Sequence, residues 1–454
     1  MTKAVARIWL LTLIAAMGCG VAPEPVAQGP EAQNVIIVLV DTLRADHMST
    51  YGYERLTSPN LDEFAADAVV FEHARSQASC TFPSVNSLMT SRYPDVFARQ
   101  GTRQFGIPDE YPAIAEILDN NGYYTVAVSQ SPVVRKTPSK HNPNGGFGRG
   151  FDRFVEGCVW RHGTCLNRKI FNELELVERP FFLYLHYMEP HAPYYHPPKH
   201  PLQFAGEYEG FDFIRDGNPK PIGKMIYGDG PKYDLGDRDI QHLVDLYDDE
   251  ILFFDDIFRS LVQELEARGL LEETLIVFAS DHGEEFLEHG HISHCRGVWD
   301  TVTHVPLFFK IPGVDGQRFD VAVQNLDIVP TILDYLAIDG EGLGFEGRSL
   351  RPVIEGREES SLYAFSKQTE FHSSDDGRFH LILDADNDRF TLFDIRNDPP
   401  EQNDLYDPSH PELGPLKSAL DRWLEQTSKR TRLHESIMAD RAKEEELRAL
   451  GYLQ

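Results

Sequence analysis

Residues 34–41 read Asn-Val-Ile-Ile-Val-Leu-Val-Asp, a continuous apolar run that ends in a carboxylate. A run of this length, rich in Val and Ile, predicts a strand that is buried on both faces, as in a parallel sheet. The same pattern returns at residues 274–281, where Thr-Leu-Ile-Val-Phe-Ala-Ser precedes Asp281. Because ligands of parallel sheets gather at the carboxyl ends of the strands, the two terminal aspartates are expected to share one site.

Strand and helix patterns alternate up to residue 345, which predicts an α/β fold with a mostly parallel central sheet flanked by helices. Further strands are expected at Tyr123–Val128, Phe181–Tyr187 and Val305–Lys310. Helices are expected at Asn60–Ala68, Pro112–Asn120, Asp237–Arg268 and Asp327–Leu336.

The pattern changes after residue 345, and we expect a small C-terminal α+β subdomain at residues 346–430. Its expected elements are short strands at Leu362–Ser366, Phe379–Leu383 and Arg389–Asp394 and a helix at Leu416–Gln426. Residues 34–345 then form the main, catalytic domain, and residues 431–454 a charged C-terminal helix.

The N-terminus reads as an export signal, because two basic residues precede a short apolar stretch within residues 1–19. The run Ala16-Met17-Gly18-Cys19 is similar to the cleavage site of bacterial lipoproteins, so we expect a cell-envelope protein with a lipid anchor at Cys19. A plain secretory signal is the alternative and would leave the protein periplasmic or secreted. Residues 20–33 read as a flexible tether, and no later run is apolar enough to span a bilayer.

The formal net charge of the 454 residues is −29, which argues against nucleic acid or an anionic membrane surface as a partner. An anionic substrate would need a local positive centre. A divalent cation such as Ca²⁺, Mn²⁺ or Zn²⁺ would provide it, and Asp41, Asp281 and the adjacent His282 offer suitable oxygen and nitrogen ligands. Asp41 taken alone would more often cap a turn, and an Asp-His pair taken alone is a weak signal of a metal site.

Thr81 precedes Phe82-Pro83-Ser84 and a helical run, in which the proline suits the first turn. Its hydroxyl would lie near the positive end of the helix and beside the cation, as a metal ligand and as a nucleophile. A capping hydroxyl without chemistry is the alternative. His191 and His294 are our candidates for contact with the substrate, the leaving group or a second metal ion. The other histidines near the strand ends, including His186, are expected to be structural.

Export makes disulfides possible. Cys80 precedes Thr81 and Cys295 follows His294, so we predict a Cys80–Cys295 bridge, with two free buried thiols as the alternative. Cys158 and Cys165 lie close in sequence and could close a small ring.

Together these motifs resemble the sulfatase family of the alkaline phosphatase superfamily, and the resemblance runs from Val35 to Leu424. The matching segments include Val-Asp-Thr-Leu-Arg-Ala-Asp-His at 40–47, Thr-Phe-Pro-Ser-Val-Asn-Ser-Leu-Met-Thr-Ser at 81–91, His-Tyr-Met-Glu-Pro-His-Ala-Pro-Tyr at 186–194 and Ser-Asp-His-Gly-Glu-Glu at 280–285. The family implies a metal-dependent hydrolase of oxyacid esters.

The chain departs from the sulfatase pattern at three places. Sulfatases carry a Cys or Ser, oxidised to formylglycine in the Cys case, and an Arg where this chain has Thr81 and Val85. They usually show a second Asp where this chain has Thr42, and a Lys-x-His segment where it has Ser-Gln-Ser-Pro at 129–132. The chain is therefore similar to the threonine enzymes of the superfamily, which use an acidic residue, a Thr, an Asp and a His around one cation.

Threonine also affects the chemistry. A formylglycine hydrate releases sulfate by elimination, whereas a threonine ester has no second hydroxyl on the same carbon. We therefore expect cleavage or transfer of a phosphate or phosphodiester through Thr81, with a sulfuric-ester hydrolase as the alternative. An inactive protein that binds a glycan or lipid head group is the alternative from another class. The expected partner is an anionic small-molecule, glycan or lipid head-group ester.

Overall fold

The computed structural model describes most of the chain between residues 34 and 429. The described ranges are 34–96, 106–107, 111–142, 145–158, 162–177, 180–194, 200–211, 235–358 and 363–429. The expected signal, tether and C-terminal helix lie outside these residues. No helix within them is both long enough and apolar enough to cross a bilayer.

Fourteen strands and nine helices are labelled here in chain order among the described residues. The strands are β1 Asn34–Val40, β2 Val69–Arg75, β3 Tyr124–Ser129, β4 Arg153–Glu156, β5 Phe181–Tyr187, β6 Thr274–Ser280, β7 Glu285–Phe286, β8 Ile292–Ser293, β9 His304–Lys310, β10 Gln317–Gln324, β11 Ala364–Gln368, β12 Phe371–Asp375, β13 Phe379–Asp384 and β14 Arg389–Asp394. The helices are α1 Pro59–Ala66, α2 Thr81–Thr90, α3 Ile114–Asn120, α4 Gly163–Leu174, α5 Asp237–Ala267, α6 Asp300–Thr303, α7 Ile328–Tyr335, α8 Arg351–Ile354 and α9, residues 413–429.

The main sheet has eight strands in the order β10-β2-β9-β6-β1-β5-β3-β4. All neighbouring pairs are parallel except the two that β9 makes with β2 and β6. Strand β1 lies at the centre, between β5 and β6, so the two apolar runs that define the pattern are neighbours in space. The expected mostly parallel sheet is confirmed.

Every residue of β1 is fully buried because both faces of the sheet are covered. Ile36, Val38 and Val40 pack into one apolar core, which also contains the buried face of the long helix α5. The alternate residues Val35 and Leu39 pack into the second core, together with α2 and α3. This two-sided burial explains why the strand is continuously apolar instead of alternating.

The C-terminal part forms a separate antiparallel sheet in the order β11-β12-β13-β14, which packs on α9. Leu350 and Ile354 still pack in the core of the main sheet. Strand β11 touches the main domain near the site, since Lys367 N donates to Gln77 O at 2.9 Å and Ser366 Oγ donates to Ser76 O at 2.5 Å.

Candidate active site

Three side chains converge where the central strands of the main sheet end. Asp41 follows β1, Asp281 follows β6, and His186 is the sixth residue of β5. The register aligns them, because Leu39 pairs with His186 and Val40 pairs with Ser280. One ligand atom from each of the three residues lies within 4.8 Å of the others. The predicted grouping of the two aspartates at one edge is therefore present, with a histidine added.

Two carboxylate oxygens in this cluster are buried without a hydrogen-bond partner, Asp41 Oδ1 and Asp281 Oδ2. Burial, followed by repulsion from Asp281, raises the pKa of Asp41 to about 7. Two carboxylates this close cannot both be ionised cheaply in a dry interior unless a positive charge lies between them. The unpaired oxygens therefore fit a divalent cation, which carboxylates and neutral imidazoles ligate.

Backbone N–H groups bind one oxygen of Asp281 and leave the other oxygen free to bind a cation. Its Oδ1 accepts hydrogen bonds from the N–H groups of Thr42 at 3.1 Å and of His282 at 2.9 Å. Thr42 has a φ of 58°, a left-handed conformation that a β-branched residue rarely adopts. The strained turn after β1 thus points the Thr42 N–H at Asp281 and joins the two acidic strand ends.

His282 presents a lone pair to this cluster. Its Nδ1 faces the carbonyl of Gly283 at 2.9 Å, and a carbonyl can only accept, so Nδ1 carries the proton. Its Nε2 lies 3.2 Å from Thr81 Oγ1, 3.5 Å from Asp281 Oδ2 and 3.9 Å from Asp41 Oδ1. Gly283 is required here, because a Cβ would lie 2.1 Å from the carbonyl oxygen of Thr301. The four predicted metal-ligating residues are thus brought together.

His186 was expected to be structural, and the structure places it in the cluster beside Asp41. Its Nε2 lies 3.2 Å from Asp41 Oδ2, and the Tyr184 hydroxyl lies 2.8 Å from its Nδ1. Burial lowers the pKa of His186 to about 4, so the ring is neutral and one nitrogen keeps a lone pair. A second histidine ligand is therefore available, held in orientation by the tyrosine. From the sequence we placed His186 near a strand end but did not assign it as a ligand.

Thr81 is the first residue of α2, as expected, and its side chain is buried. The N-terminus of this ten-residue helix stabilises negative charge at the Thr81 oxygen. Ser84 Oγ, one turn later, donates to the Asp281 carbonyl at 2.6 Å and so fastens the helix start to the end of β6. We did not identify Ser84 from the sequence.

His294 and His191 lie beside the cluster, as predicted. The His294 ring is 4.5 Å from the His282 ring and 5.2 Å from the His191 ring, measured between centroids. His294 Nδ1 lies 2.9 Å from Oε1 of the buried Glu284, a contact that the sequence analysis missed. Burial lowers the pKa of His294 to about 4, so the neutral ring donates from Nδ1 to Glu284 and keeps a lone pair on Nε2.

The predicted disulfide is present, and so is the second one that the sequence allowed. Cys80 is bonded to Cys295, and Cys158 is bonded to Cys165. All four cysteines in the described part of the chain are therefore bridged. None of them is available as a nucleophile, which leaves the Thr81 hydroxyl at the start of α2.

Acidic side chains of this site include Asp41, Asp281 and Glu284. Arg44 reaches it by donating to the Glu284 carbonyl at 2.9 Å, but its guanidinium is already paired with Asp46 and Glu288. Gln130 follows β3, where the family pattern has its Lys-x-His segment, and its N–H donates to the His186 carbonyl at 3.0 Å. A cation held between the two aspartates would supply positive charge to an anionic substrate.

Sequence comparisons identify the family of the chain. The family described as Sulfatase matches residues 33–338, and N-sulphoglucosamine sulphohydrolase, C-terminal, matches residues 288–430. The human iduronate 2-sulfatase is 25% identical over 366 residues, which are 67% of this chain and 64% of the relative. An ulvan-active sulfatase of Formosa agariphila is 24% identical, over 72% of this chain and 66% of the relative. The alignments thus leave about a third of each relative without a counterpart.

Solved structures share the fold. A phosphonate monoester hydrolase of Agrobacterium radiobacter superposes with a TM-score of 0.67 and 18% sequence identity, covering 88% of this chain and 96% of that chain. At this identity the likeness concerns the architecture alone. It agrees with the mostly parallel sheet and the small C-terminal sheet described above.

Proposed function

The chain belongs to the sulfatase family, and on this premise we propose that it is a divalent-cation-dependent hydrolase in which Thr81 attacks an oxyacid ester, with sulfuric esters of a glycan as the leading substrate class. The observation that carries the proposal is the 3.2 Å contact between Thr81 Oγ1 and His282 Nε2, directly beside the unpaired oxygens of Asp41 and Asp281. A nucleophile and a cation site thus meet at one sheet edge.

The cation would be held by Asp41, Asp281 and His282, with His186 as a further ligand. When bound, it supplies positive charge to the Thr81 alkoxide and to the oxygens of the transferred group. Neutral His294, fixed by Glu284, lies close enough to exchange a proton with a group bound there.

The reaction then has two displacements. In the first, the Thr81 hydroxyl gives its proton to a histidine as its oxygen forms a bond to sulfur, the bond from sulfur to the alcohol oxygen breaks, and the histidine passes that proton to the alcohol. In the second, water attacks the sulfur, the Thr81 oxygen leaves and regains a proton, and sulfate is released. The positive end of α2 favours the anionic Thr81 oxygen in both steps.

Sulfuric esters lead because of the curated relatives. Iduronate 2-sulfatase and the ulvan-active sulfatase are named for sulfate release, and their names refer to sugar substrates. This support favours the sulfuric-ester alternative over the phosphate substrate that we expected from Thr81. The earlier expectation rested on the absence of an elimination route, which attack by water at sulfur does not require.

Phosphoric esters remain the second candidate, since one observation favours them. Thr81 has a single hydroxyl, and its phosphoester can be resolved by in-line attack at phosphorus with a cation and a histidine assisting. The fold does not oppose this chemistry, because a phosphonate monoester hydrolase has the same architecture.

A substrate panel tests the proposal. Protein purified with Mn²⁺, Zn²⁺ or Ca²⁺ is offered nitrophenyl sulfate, nitrophenyl phosphate, a nitrophenyl phosphodiester and sulfated oligosaccharides. We expect cation-dependent release of sulfate, fastest from an oligosaccharide. Release of phosphate alone would replace sulfate by phosphate as the substrate, and a lack of cation dependence would contradict the site.

Thr81→Ala tests the nucleophile, and Thr90→Ala is the matched control at the other end of the same helix. Thr90 is buried and its hydroxyl donates to the Asn86 carbonyl at 2.7 Å, away from the cluster. Thr81→Ala should lose at least about a thousandfold in kcat, as expected when an activated nucleophile is removed. Thr90→Ala should retain kcat. Activity surviving in Thr81→Ala would overturn the mechanism.

We also propose export to the cell envelope, with lipidation at Cys19. The two disulfides support an oxidising compartment. Cell fractionation of the wild type and of Cys19→Ala tests the anchor: the variant should move from the membrane fraction to the soluble envelope fraction.

A further inference from the structure

The Cys80–Cys295 disulfide joins the two segments that carry the candidate catalytic groups. Cys80 directly precedes Thr81, and Cys295 directly follows His294. The bridge spans 215 positions in the sequence and brings the two Cα atoms to 4.8 Å. A displacement of either segment is therefore transmitted to the other through one covalent link.

The His294 segment has little regular structure of its own. Strand β8 is only two residues long, and Ser293 and Cys295 have φ values of 85° and 73°. Such left-handed conformations cost a non-glycine residue free energy and persist only when surrounding contacts hold them. His294 thus lies between two strained residues.

The contacts that hold this segment are concentrated at the bridge. Cys295 N donates to the Ser79 carbonyl at 2.7 Å. Gln368, at the end of β11, places its Nε2 3.3 Å from the Cys295 carbonyl oxygen and 3.6 Å from Cys80 Sγ. The small sheet therefore supports the bridge from outside, and Glu284 orients the His294 ring from inside.

We infer that the Cys80–Cys295 bridge is a positioning device of the active site, which holds His294 in place relative to Thr81 and is required for full turnover. The inference rests on the roles proposed above for these two residues. Because the bridge contains none of the candidate cation ligands, opening it should leave cation binding intact. A misplacement of about 1 Å can cost on the order of a hundredfold in rate, and we expect a loss of that size in kcat.

A pair of double variants tests the inference. Cys80→Ser/Cys295→Ser opens the bridge at the site, and Cys158→Ser/Cys165→Ser opens the other one as the matched control. We expect a kcat loss of about a hundredfold in the first double variant, with a KM change under about tenfold. The second should keep the kcat of the wild type, and both should bind the same number of cations per chain as the wild type. An unchanged kcat in the folded first variant would overturn the inference.

Reduction of the folded protein provides a second route, in case the first double variant does not fold. In the Cys158→Ser/Cys165→Ser background only the site bridge is left among the described cysteines. Dithiothreitol gives this bond two electrons and two protons, which yields two thiols and the cyclic disulfide of the reagent. We expect kcat to fall when two additional thiols appear per chain and to recover on reoxidation with oxidised glutathione. Full activity with the bridge open would contradict the inference.

Vanadate binding separates this inference from the proposed function. If the wild type turned over no ester, the proposed function would fail, while the bridge could still be judged by calorimetric titration with vanadate. We expect vanadate affinity to drop about tenfold or more when the bridge is opened in the cation-loaded protein. An affinity that stays the same would overturn the positioning role.

Discussion

Two buried acidic clusters in this molecule are built in opposite ways. At the active site, Asp41 and Asp281 each keep a buried oxygen without a hydrogen-bond partner. Where the main domain meets the C-terminal sheet, Asp300 and Asp375 both pair with the buried Arg75. Burial raises the pKa of Asp41. Burial alone would also raise the pKa of Asp375, but the Arg75 guanidinium, His380 and the Gly377 N–H together outweigh burial and lower the pKa.

The two clusters differ in function: the paired one stabilises the fold, and the unpaired one is suited to binding a cation. A buried carboxylate that is paired within the chain contributes to holding the fold, whereas one left without a partner destabilises the fold until a ligand arrives. The paired cluster connects β2, α6 and β12, and so links the two sheets. The unpaired cluster connects β1 and β6 and is positioned to accept a cation. The comparison can be tested by changing one acid in each cluster.

The largest effect is expected from Asp41→Asn. The variant should lose cation binding and at least about a thousandfold in kcat, since a cation in such a site contributes several kcal/mol to the transition state. Its unfolding free energy without added cation should not fall, because the substitution removes one of two repelling charges. Calorimetric cation titration, turnover and urea unfolding measure the three quantities.

Asp375→Asn is the matched control for that variant, since both remove one charge from a fully buried aspartate. It should keep cation affinity and kcat, and lose stability. Cation binding that survives in Asp41→Asn would show that the unpaired oxygens have another purpose.

Arg75→Met should give the next largest effect. The substitution leaves Asp300 and Asp375 buried without their common cationic partner, and breaking a buried pair in this way costs about 3 kcal/mol or more. Urea unfolding should show this loss, while kcat per folded molecule stays near that of the wild type. The triple variant with Asp300→Asn and Asp375→Asn should recover part of the lost stability, and no recovery would argue against a charge effect.

Cation addition should stabilise the protein by a smaller amount. A ligand that binds only the folded state at a hundred times its Kd adds about 2.7 kcal/mol to the unfolding free energy. Thermal unfolding with and without a chelator measures this in the wild type and in Arg75→Met. Both should gain equally, because Arg75 lies outside the cation cluster, and Asp41→Asn should gain nothing.

The sequence predicted the centre of the fold better than its edges. Strands β1, β5 and β6 were located to within one residue because burial on both faces makes them continuously apolar. Strands β2 and β10 were missed. Residues 317–321 of β10 are exposed or half-buried, and β2 contains Glu72 and His73, so neither strand has an uninterrupted apolar run.

The site residues that could be predicted are those whose location follows directly from their position after a strand. Asp41 and Asp281 follow strands directly, so the rule of strand ends was sufficient to group them. His186 was missed because its role depends on the pairing of Leu39 with His186, which brings it to the edge beside Asp41. Glu284 was missed because only the folded loop turns it towards His294. The roles of both residues depend on tertiary structure, which local sequence patterns do not contain.

The smallest expected effect is a difference in acid sensitivity between the wild type and Asp375→Asn. Burial would raise the pKa of Asp375, but Arg75, His380 and the Gly377 N–H together more than offset burial, so the folded-state pKa lies below that of an unfolded aspartate, about 3.9. Below that pH the unfolded state binds more protons than the folded state. The stability that Asp375 contributes is therefore fully present above about pH 4 and is lost as the pH falls through the folded-state pKa.

The gap in unfolding free energy between the two proteins should accordingly be constant from about pH 5 to pH 7 and should narrow below about pH 4. Urea unfolding across this range measures it, in the presence of a chelator so that cation release does not contribute. A gap that widens on acidification would mean that Asp375 is not ionised in the folded protein. The two clusters would then not differ in charge state. The proposed contrast between carboxylates paired with Arg75 and carboxylates available to a cation would be wrong.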